Sequence, residues 1–231
     1  MRFEYVEADS FEDVGSGTVL HSAPGFPGFP ARLALELFDR ARAMTSRERV
    51  TLWDPMCGAG GLVAAIALRR RAQLEHVIAT DVDAAAVELA RRNLALVDSD
   101  ALLKRADELE SQGAASTRTQ AARNLASAVG SPPLPFTTGV VDVTAAESVA
   151  AFSCPPADIV ITDIPYGTQT TWNSTTSSPL PTMIEALRSR LPAHAVIVLT
   201  GPDRNSFADC PTPLRSFKHG RRVIKLLAAH P

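Results

Sequence analysis

Short apolar runs alternate with helix-forming segments from Val50 onward, and this alternation limits the possible folds of the 231-residue chain more than any other feature. The predicted strands are residues 50–53, 76–80, 136–141, 157–162, 195–200 and 222–227. Strands that alternate with helices form parallel sheets covered by helices on both faces. The sequence therefore predicts an α/β protein with a doubly wound, mostly parallel sheet.

Two segments depart from this alternation. Residues 1–30 end in a run rich in proline and glycine, which cannot form a regular helix because proline removes a donor and fixes φ. Residues 97–131 are charged, rich in alanine and helical in propensity, with predicted helices at 102–109 and 119–129. We expect an N-terminal arm over 1–30 and one domain over 31–231, with a helical insertion at 97–131.

Composition excludes several classes of protein. The 23 basic and 25 acidic side chains give a formal charge of −2, so the chain lacks the overall basic character of many nucleic-acid binders. Its cysteines, Cys57, Cys154 and Cys210, are odd in number and widely spaced, which suggests neither a disulfide framework nor a metal site. No apolar run approaches the roughly 20 residues of a membrane span, and the first residues are acidic rather than signal-like. We expect a cytoplasmic monomer that binds neither membrane nor metal.

Aspartates follow four of the predicted strands, namely Asp54, Asp81, Asp142 and Asp163. Ligands of doubly wound sheets bind beyond the carboxyl ends of the strands, where these side chains would meet. Taken singly, a strand-end aspartate is more often the N-cap of the next helix. Four of them at one sheet edge favour a ligand pocket. Asp83, which precedes a run of alanines, is predicted to be an N-cap instead.

The loop after Asp54 contains Gly58 and Gly60, which allow a ligand to approach the backbone closely. The loop does not fit the dinucleotide pattern G-x-G-x-x-G, because Val63 stands at the last glycine position. A carboxylate at Asp54 would repel a pyrophosphate but would pair with the α-ammonium of a methionine moiety. The loop therefore favours S-adenosylmethionine over a dinucleotide, and a dinucleotide-dependent oxidoreductase stays as an alternative.

The next strand ends supply the remaining cofactor contacts. Asp81 can accept hydrogen bonds from both ribose hydroxyls, and Val82 beside it can cover one face of an adenine. Asp142 can accept from the adenine amino group. Each of these interpretations assumes that the strand ends are adjacent in the fold.

The motif Asp163-Ile164-Pro165-Tyr166 carries the predicted chemistry. Methyl transfer to an exocyclic amine needs acceptors that hold the nitrogen in line, and Asp163 and the carbonyl of Ile164 can accept its two N–H groups. Pro165 would fix the turn, and Tyr166 would stack on an extruded base. If the target is a ring N–H, Asp163 can act as a general base. The alternative is an ordinary strand-to-loop turn.

Other residues allow two interpretations. Trp172 can stack on RNA or close its loop onto the core, and His21 can touch substrate or cofactor or be structural. Cys57 has no basic neighbour in sequence, so we expect it to serve packing. The basic clusters can meet phosphates or simply face solvent; one of them comprises Lys218, Arg221, Arg222 and Lys225.

A family resemblance rests on three segments. They are Thr162-Asp-Ile-Pro-Tyr-Gly-Thr-Gln-Thr-Thr-Trp172, His21-Ser-Ala-Pro-Gly-Phe-Pro27 and Asp54-Pro-Met-Cys-Gly58. With them the chain resembles, over nearly its whole length, the avilamycin-resistance 23S rRNA methyltransferases of antibiotic-producing actinomycetes. The resemblance implies a seven-stranded, Rossmann-like class I methyltransferase fold, S-adenosylmethionine as donor and a guanine of 23S rRNA as acceptor. It assigns catalysis to Asp163, Pro165 and Tyr166, cofactor binding to Asp54, Gly58, Gly60, Asp81 and Asp142, and a place near the site to His21.

The expected function is therefore methylation of an rRNA base, with resistance to a ribosome-directed antibiotic as its consequence. Methylation of a DNA base or a protein amide is the nearest alternative, since similar motifs serve those reactions. A non-catalytic RNA-binding module is a further alternative, which the presence of Asp163 and Tyr166 disfavours.

Overall fold

The computed structural model describes residues 2–7, 11–14, 18–130, 132–165, 172 and 178–230. The strands in these ranges are β1 Val50–Asp54, β2 Leu74–Asp81, β3 Phe136–Val140, β4 Ile159–Asp163, β5 Val196–Gly201, β6 Arg215–His219 and β7 Arg222–Ala228. The α-helices are α1 Ala31–Arg42, α2 Gly61–Arg69, α3 Ala84–Ala95, α4 Ser99–Ser111, α5 Ser116–Val129, α6 Ala146–Ala151 and α7 Pro179–Arg188. Among the described residues, every helix is too short or too polar to traverse a lipid bilayer.

The strands form one sheet of seven, in the order β3-β2-β1-β4-β5-β7-β6. Strands β1 to β5 pair in parallel, and β7 runs antiparallel to both β5 and β6. The predicted doubly wound, mostly parallel fold is thus confirmed. The chain proceeds outward from β1 to β3 and then returns to place β4 beside β1. In sheets of this kind, ligands bind at such a reversal, at the carboxyl ends of the two central strands.

Helices cover both faces of the sheet because successive side chains of each strand point to opposite sides. In β4, Ile159 and Ile161 belong to the apolar cluster under α1 and α2, whereas Val160 belongs to the cluster under α7. In β5, Val198 and Leu199 divide in the same way. The sheet is therefore packed between two apolar clusters, one on each face. Its carboxyl edge is not covered by these helices and is bordered by loops.

The predicted strands agree with the observed ones to within two residues at each end. The edge strand β6 was not located, because its sequence Arg215-Ser-Phe-Lys-His219 is mostly polar and its side chains are largely exposed. Such a strand lacks the apolar alternation that marks a half-buried one. Asp83 is the N-cap of α3, as predicted, and its carboxylate accepts a hydrogen bond from the N–H of Ala85 at 2.8 Å.

The two helices of the 97–131 segment pack on each other and hold the arm. Arg105 of α4 donates from Nε to the carbonyl of Val19 at 3.0 Å, and Arg118 of α5 donates from Nε to the carbonyl of Thr18 at 2.9 Å. Val19 and Leu20 are buried in the same apolar cluster as these helices. The arm is therefore part of the packed structure on this side of the sheet.

Candidate active site

A cavity of about 530 Å³ lies at the carboxyl edge of the sheet, within the range of small-molecule and cofactor sites. All four predicted aspartates, Asp54, Asp81, Asp142 and Asp163, line it. The arm also lines the cavity, with Leu20, His21 and residues 25–29. The fold thus brings together strand ends that are more than a hundred residues apart in sequence.

Asp54 ends β1 and is only 2% exposed. Its Oδ1 accepts hydrogen bonds from the hydroxyl of Thr162 at 2.8 Å and from the N–H of Met56 at 3.2 Å. No described residue donates to its Oδ2. Burial raises the pKa of Asp54 to about 7, and the nearby Asp81 and Asp163 add to that rise. A cation beside Oδ2 would lower this pKa and stabilise the carboxylate.

The glycine loop turns sharply between β1 and α2. Gly58 and Gly60 both have left-handed backbone angles, with φ of +51° and +73°. A side chain at Gly58 would meet nothing within 4 Å, so this position is open. A Cβ at Gly60 would lie 2.8 Å from Cα of Ala90 in α3. The absence of a side chain at Gly58 therefore leaves space in the cavity. The absence of one at Gly60 lets the N-terminus of α2 pack closely against α3.

Asp81 is oriented by the backbone. Its Oδ2 accepts from the N–H of Gly58 at 2.8 Å, and its Oδ1 accepts from the N–H of Asp83 at 3.0 Å. Each oxygen keeps a second lone pair for a ligand. Val82 is 42% exposed and lines the same cavity, which suits an apolar surface for a planar ring. At the third strand end, Oδ1 of Asp142 accepts from the hydroxyl of Thr144 at 2.6 Å.

Asp163 ends β4 and is half-buried in the cavity wall. Its Oδ1 accepts from Nη1 of Arg222 at 2.5 Å and from the hydroxyl of Thr200, and no described residue donates to Oδ2. Burial raises the pKa of Asp163, although both hydrogen bonds and the charge of Arg222 oppose the rise. Pro165 lines the cavity as well. Tyr166, the last residue of the predicted motif, lies outside the described residues.

Arg222 lines the cavity, whereas the sequence placed it only in a basic cluster that meets phosphates or faces solvent. Its guanidinium contacts Asp163, lies 3.3 Å from the hydroxyl of Thr200 and stacks over the ring of Phe29 with 5.0 Å to the centroid. Because β7 is antiparallel, its first residue lies at the carboxyl edge of the parallel strands. The apolar run after Arg222 marked the strand, but only its direction shows where the arginine lies.

The backbone of His21 is clamped to the glycine loop through Asn93 of α3. The fully buried amide of Asn93 accepts from the N–H of His21 at 2.7 Å, and donates to the carbonyls of His21 at 3.0 Å and Ala59 at 2.8 Å. Desolvation by burial, followed by the charges of Arg105 and Arg92, lowers the pKa of His21 to about 4. The imidazole is therefore neutral at physiological pH. Asn93 was not predicted, since a single asparagine within a helix carries no sequence signal.

Trp172 has contacts that fit its packing on the core, whereas its stacking on RNA stays a prediction. It lines the cavity, and it also packs against the apolar cluster under α7. Cys57 is buried, and burial raises the pKa of its thiol well above the ordinary value. A thiol in this state is a poor nucleophile, in agreement with the packing role that we expected.

Comparisons with known proteins agree closely with this architecture. The 23S rRNA (guanine(2535)-N(1))-methyltransferase of Streptomyces viridochromogenes is 41% identical over 237 residues, covering 97% of this chain and 94% of that protein. The structure of rRNA methyltransferase aviRa from Streptomyces viridochromogenes at 1.5 Å matches with a TM-score of 0.86 and 38% identity. This structural match covers 96% of this chain and 94% of the aviRa chain.

A more distant match shows the fold alone. TrmN from Thermus thermophilus is 16% identical with a TM-score of 0.52, and the match covers 94% of this chain and 52% of that one. The model of the family described as rRNA methyltransferase AviRa matches residues 1–222. A methyltransferase family with this fold implies the use of S-adenosylmethionine. On the extent of these matches, the chain belongs to the AviRa family of rRNA methyltransferases.

Proposed function

We propose that the chain methylates N1 of a guanine in 23S rRNA, with S-adenosylmethionine as donor, and thereby protects the ribosome from an antibiotic of the avilamycin type. The observation that carries the proposal is the placement of Asp163, a carboxylate of raised pKa in the wall of the cavity that also contains Asp54. The related Streptomyces viridochromogenes enzyme, named as a guanine N1 methyltransferase, supports the choice of atom.

The cavity has the groups that S-adenosylmethionine requires. Asp54 holds a buried carboxylate that a cation would stabilise, and the α-ammonium of the methionine moiety is such a cation. The N-terminus of α2 has no side-chain cap, so its N–H groups can meet the methionine carboxylate. Asp81 would hold the ribose hydroxyls, and Val82 and Asp142 would hold the adenine. When bound, the cofactor supplies a methyl group on a sulfonium that leaves as a neutral thioether.

Asp163 would remove the proton that blocks the acceptor. The lone pair of guanine N1 is free to form a bond to carbon only when its N–H bond breaks, and Oδ2 of Asp163 would take that proton. A carboxyl group whose pKa is raised by burial is a stronger base than an exposed carboxylate. This role matches the ring N–H alternative rather than the exocyclic amine. Pro165 and Tyr166 would shape and stack on the target base, and Trp172 and His21 would border it.

The other functions left open by the sequence have less support. Membership of a methyltransferase family argues against a dinucleotide-dependent oxidoreductase and against a module that only binds RNA. We also propose that the enzyme acts in the cytoplasm on its ribosomal substrate, as a monomer without metal. We further propose the division into an arm over 1–30 and a domain over 31–231, in which the 97–131 insertion holds the arm.

Transfer of tritium from labelled S-adenosylmethionine to rRNA, DNA and cell protein tests the proposal. We expect label in 23S rRNA, none in the other substrates, and none anywhere with Asp163→Ala, whose cofactor affinity should stay within about threefold. Label found only in DNA or protein would contradict the proposal, and so would unchanged turnover of Asp163→Ala.

A further inference from the structure

The ion pair between Asp163 and Arg222 belongs to the cavity rather than to the core. Both residues line the cavity, and their side chains are 24% and 20% exposed. Partly exposed ion pairs add little to stability, so a purely structural purpose is a weak explanation for the pair. The contact joins Nη1 of Arg222 to Oδ1 of Asp163, and no described residue donates to Oδ2 of Asp163.

We infer that Arg222 donates a hydrogen bond to O6 of the target guanine while Asp163 accepts the N1 proton, so that the pair reads the N1–H and O6 edge of the base. This inference rests on the proposed function. On that edge guanine presents a donor at N1 beside an acceptor at O6. The carboxylate and the guanidinium present the complementary acceptor and donor side by side.

Arg222 would also stabilise the negative charge that develops on O6 of guanine during the reaction. When Asp163 takes the N1 proton, the electron pair left on N1 delocalises onto O6. A fixed cationic donor at O6 stabilises this charge more than the neutral ground state. As the N1–C bond forms, the base returns to neutrality and the proton stays on Asp163. Arg222 is suited to this task because Thr200 and the ring of Phe29 hold its guanidinium in place.

The same pair disfavours adenine. Adenine presents an acceptor at N1 and a donor at its 6-amino group, so its N1 lone pair would face the carboxylate of Asp163 and its amine would face Arg222. A site whose polar groups are left unpaired rejects the wrong substrate strongly. Inosine keeps the N1–H and O6 edge without the 2-amino group, and the pair should accept it.

The test uses a 23S rRNA fragment that carries guanosine, inosine or 2-aminopurine at the target position, the last of which lacks both N1–H and O6. Fluorescence anisotropy with cofactor-free protein measures binding, and single-turnover methylation at pH 8 measures chemistry. We expect wild type to bind and methylate guanosine and inosine and to bind 2-aminopurine at least tenfold more weakly. Arg222→Gln should lose this preference and methylate guanosine about 100-fold more slowly.

Two further variants keep the result interpretable. Arg215→Gln alters an exposed arginine of β6 that does not line the cavity, and it should keep the wild-type rate and preference. Arg222→Lys keeps the charge but lacks the planar fork of donors, so an intermediate loss of about tenfold is expected even if Arg222→Gln folds poorly. Equal base preference in wild type and in folded Arg222 variants would overturn the inference. Absence of N1-methylation by wild type, with the binding preference intact, would instead contradict the proposed function.

Discussion

The hydroxyl of Thr162 donates a hydrogen bond of 2.8 Å to Oδ1 of Asp54, and this contact joins the ends of the two strands between which the sheet order reverses. It leaves Oδ2 of Asp54 as the oxygen available to a ligand. Asp163, the next residue after Thr162, lines the same cavity. We therefore propose that these two adjacent residues of β4 act at different sites, Thr162 at the cofactor site and Asp163 at the acceptor site.

Cofactor affinity should depend on pH through Asp54. The pKa of about 7 means that much of Asp54 is protonated below neutrality, and only its carboxylate pairs with the α-ammonium. Calorimetry between pH 5.5 and 8.5 should show a plateau above pH 7 and a dissociation constant for S-adenosylmethionine that rises about tenfold per pH unit below it. Thr162→Val removes a hydrogen bond that lowers the pKa of Asp54, so the midpoint should move to higher pH.

His21 provides the control for this pH dependence. Its pKa of about 4 excludes it as the group that titrates near neutrality. The variant His21→Asn should therefore keep the midpoint near pH 7, whatever it does to the affinity itself. A midpoint that disappears in this variant would show that the assignment to Asp54 is wrong.

Asp54→Asn should stabilise the cofactor-free protein while it weakens cofactor binding. Burial raises the pKa of Asp54 from its ordinary value of 3.8 to about 7, so ionisation of this carboxyl destabilises the fold as pH rises through that interval. At pH 8 we expect urea unfolding to give a gain of about 1–4 kcal/mol for the variant, and little gain at pH 4. A loss of stability at pH 8 would mean that the ionised carboxylate is better compensated than its contacts indicate.

The two left-handed glycines should respond differently to alanine. Gly60→Ala combines an unfavourable φ with a Cβ 2.8 Å from Cα of Ala90, and should cost about 2–4 kcal/mol of unfolding free energy. Gly58→Ala meets no atom within 4 Å, so it should cost about 1 kcal/mol and mainly weaken cofactor binding. Thermal denaturation and calorimetry on both variants check this, and equal losses of stability would contradict the packing role of Gly60.

Asn93 should control the attachment of the arm. Asn93→Ala removes three buried hydrogen bonds to His21 and Ala59, and we expect a loss of about 2–3 kcal/mol and faster proteolysis within the arm. Asn124→Ala, on the exposed face of α5, is the matched control and should change stability by less than about 0.5 kcal/mol. Equal protease resistance of the two variants would show that the arm is held by its other contacts.

The sequence was sufficient for six of the seven described strands and for the ligand edge, because these depend on local patterns. Apolar runs located β1 to β5 and β7, and the aspartates that follow four of them mark the edge where the cavity lies. Parallel strands put their carboxyl ends together, so one pattern predicts both the elements and the site.

Contacts made between distant segments were not predictable in the same way. Arg222 enters the cavity only because β7 runs antiparallel, and that direction depends on β6, a polar edge strand with no apolar pattern. Asn93 forms hydrogen bonds with the backbone of the arm at His21. At this residue the arm has no regular secondary structure, so no sequence periodicity predicts which helix residue it contacts. The carboxylates were identified from the sequence, whereas the residues that orient them required the fold.

Mass spectrometry of the nucleosides from 23S rRNA, after reaction with the enzyme and S-adenosylmethionine, tests most directly whether the chain methylates N1 of guanine. We expect N1-methylguanosine with wild type. With Asp163→Asn we expect none, although calorimetry should show S-adenosylmethionine bound with an affinity within about threefold of wild type. A methyl group on another atom, or N1-methylguanosine formed at the wild-type rate by Asp163→Asn, would contradict guanine N1 methylation with Asp163 as the base.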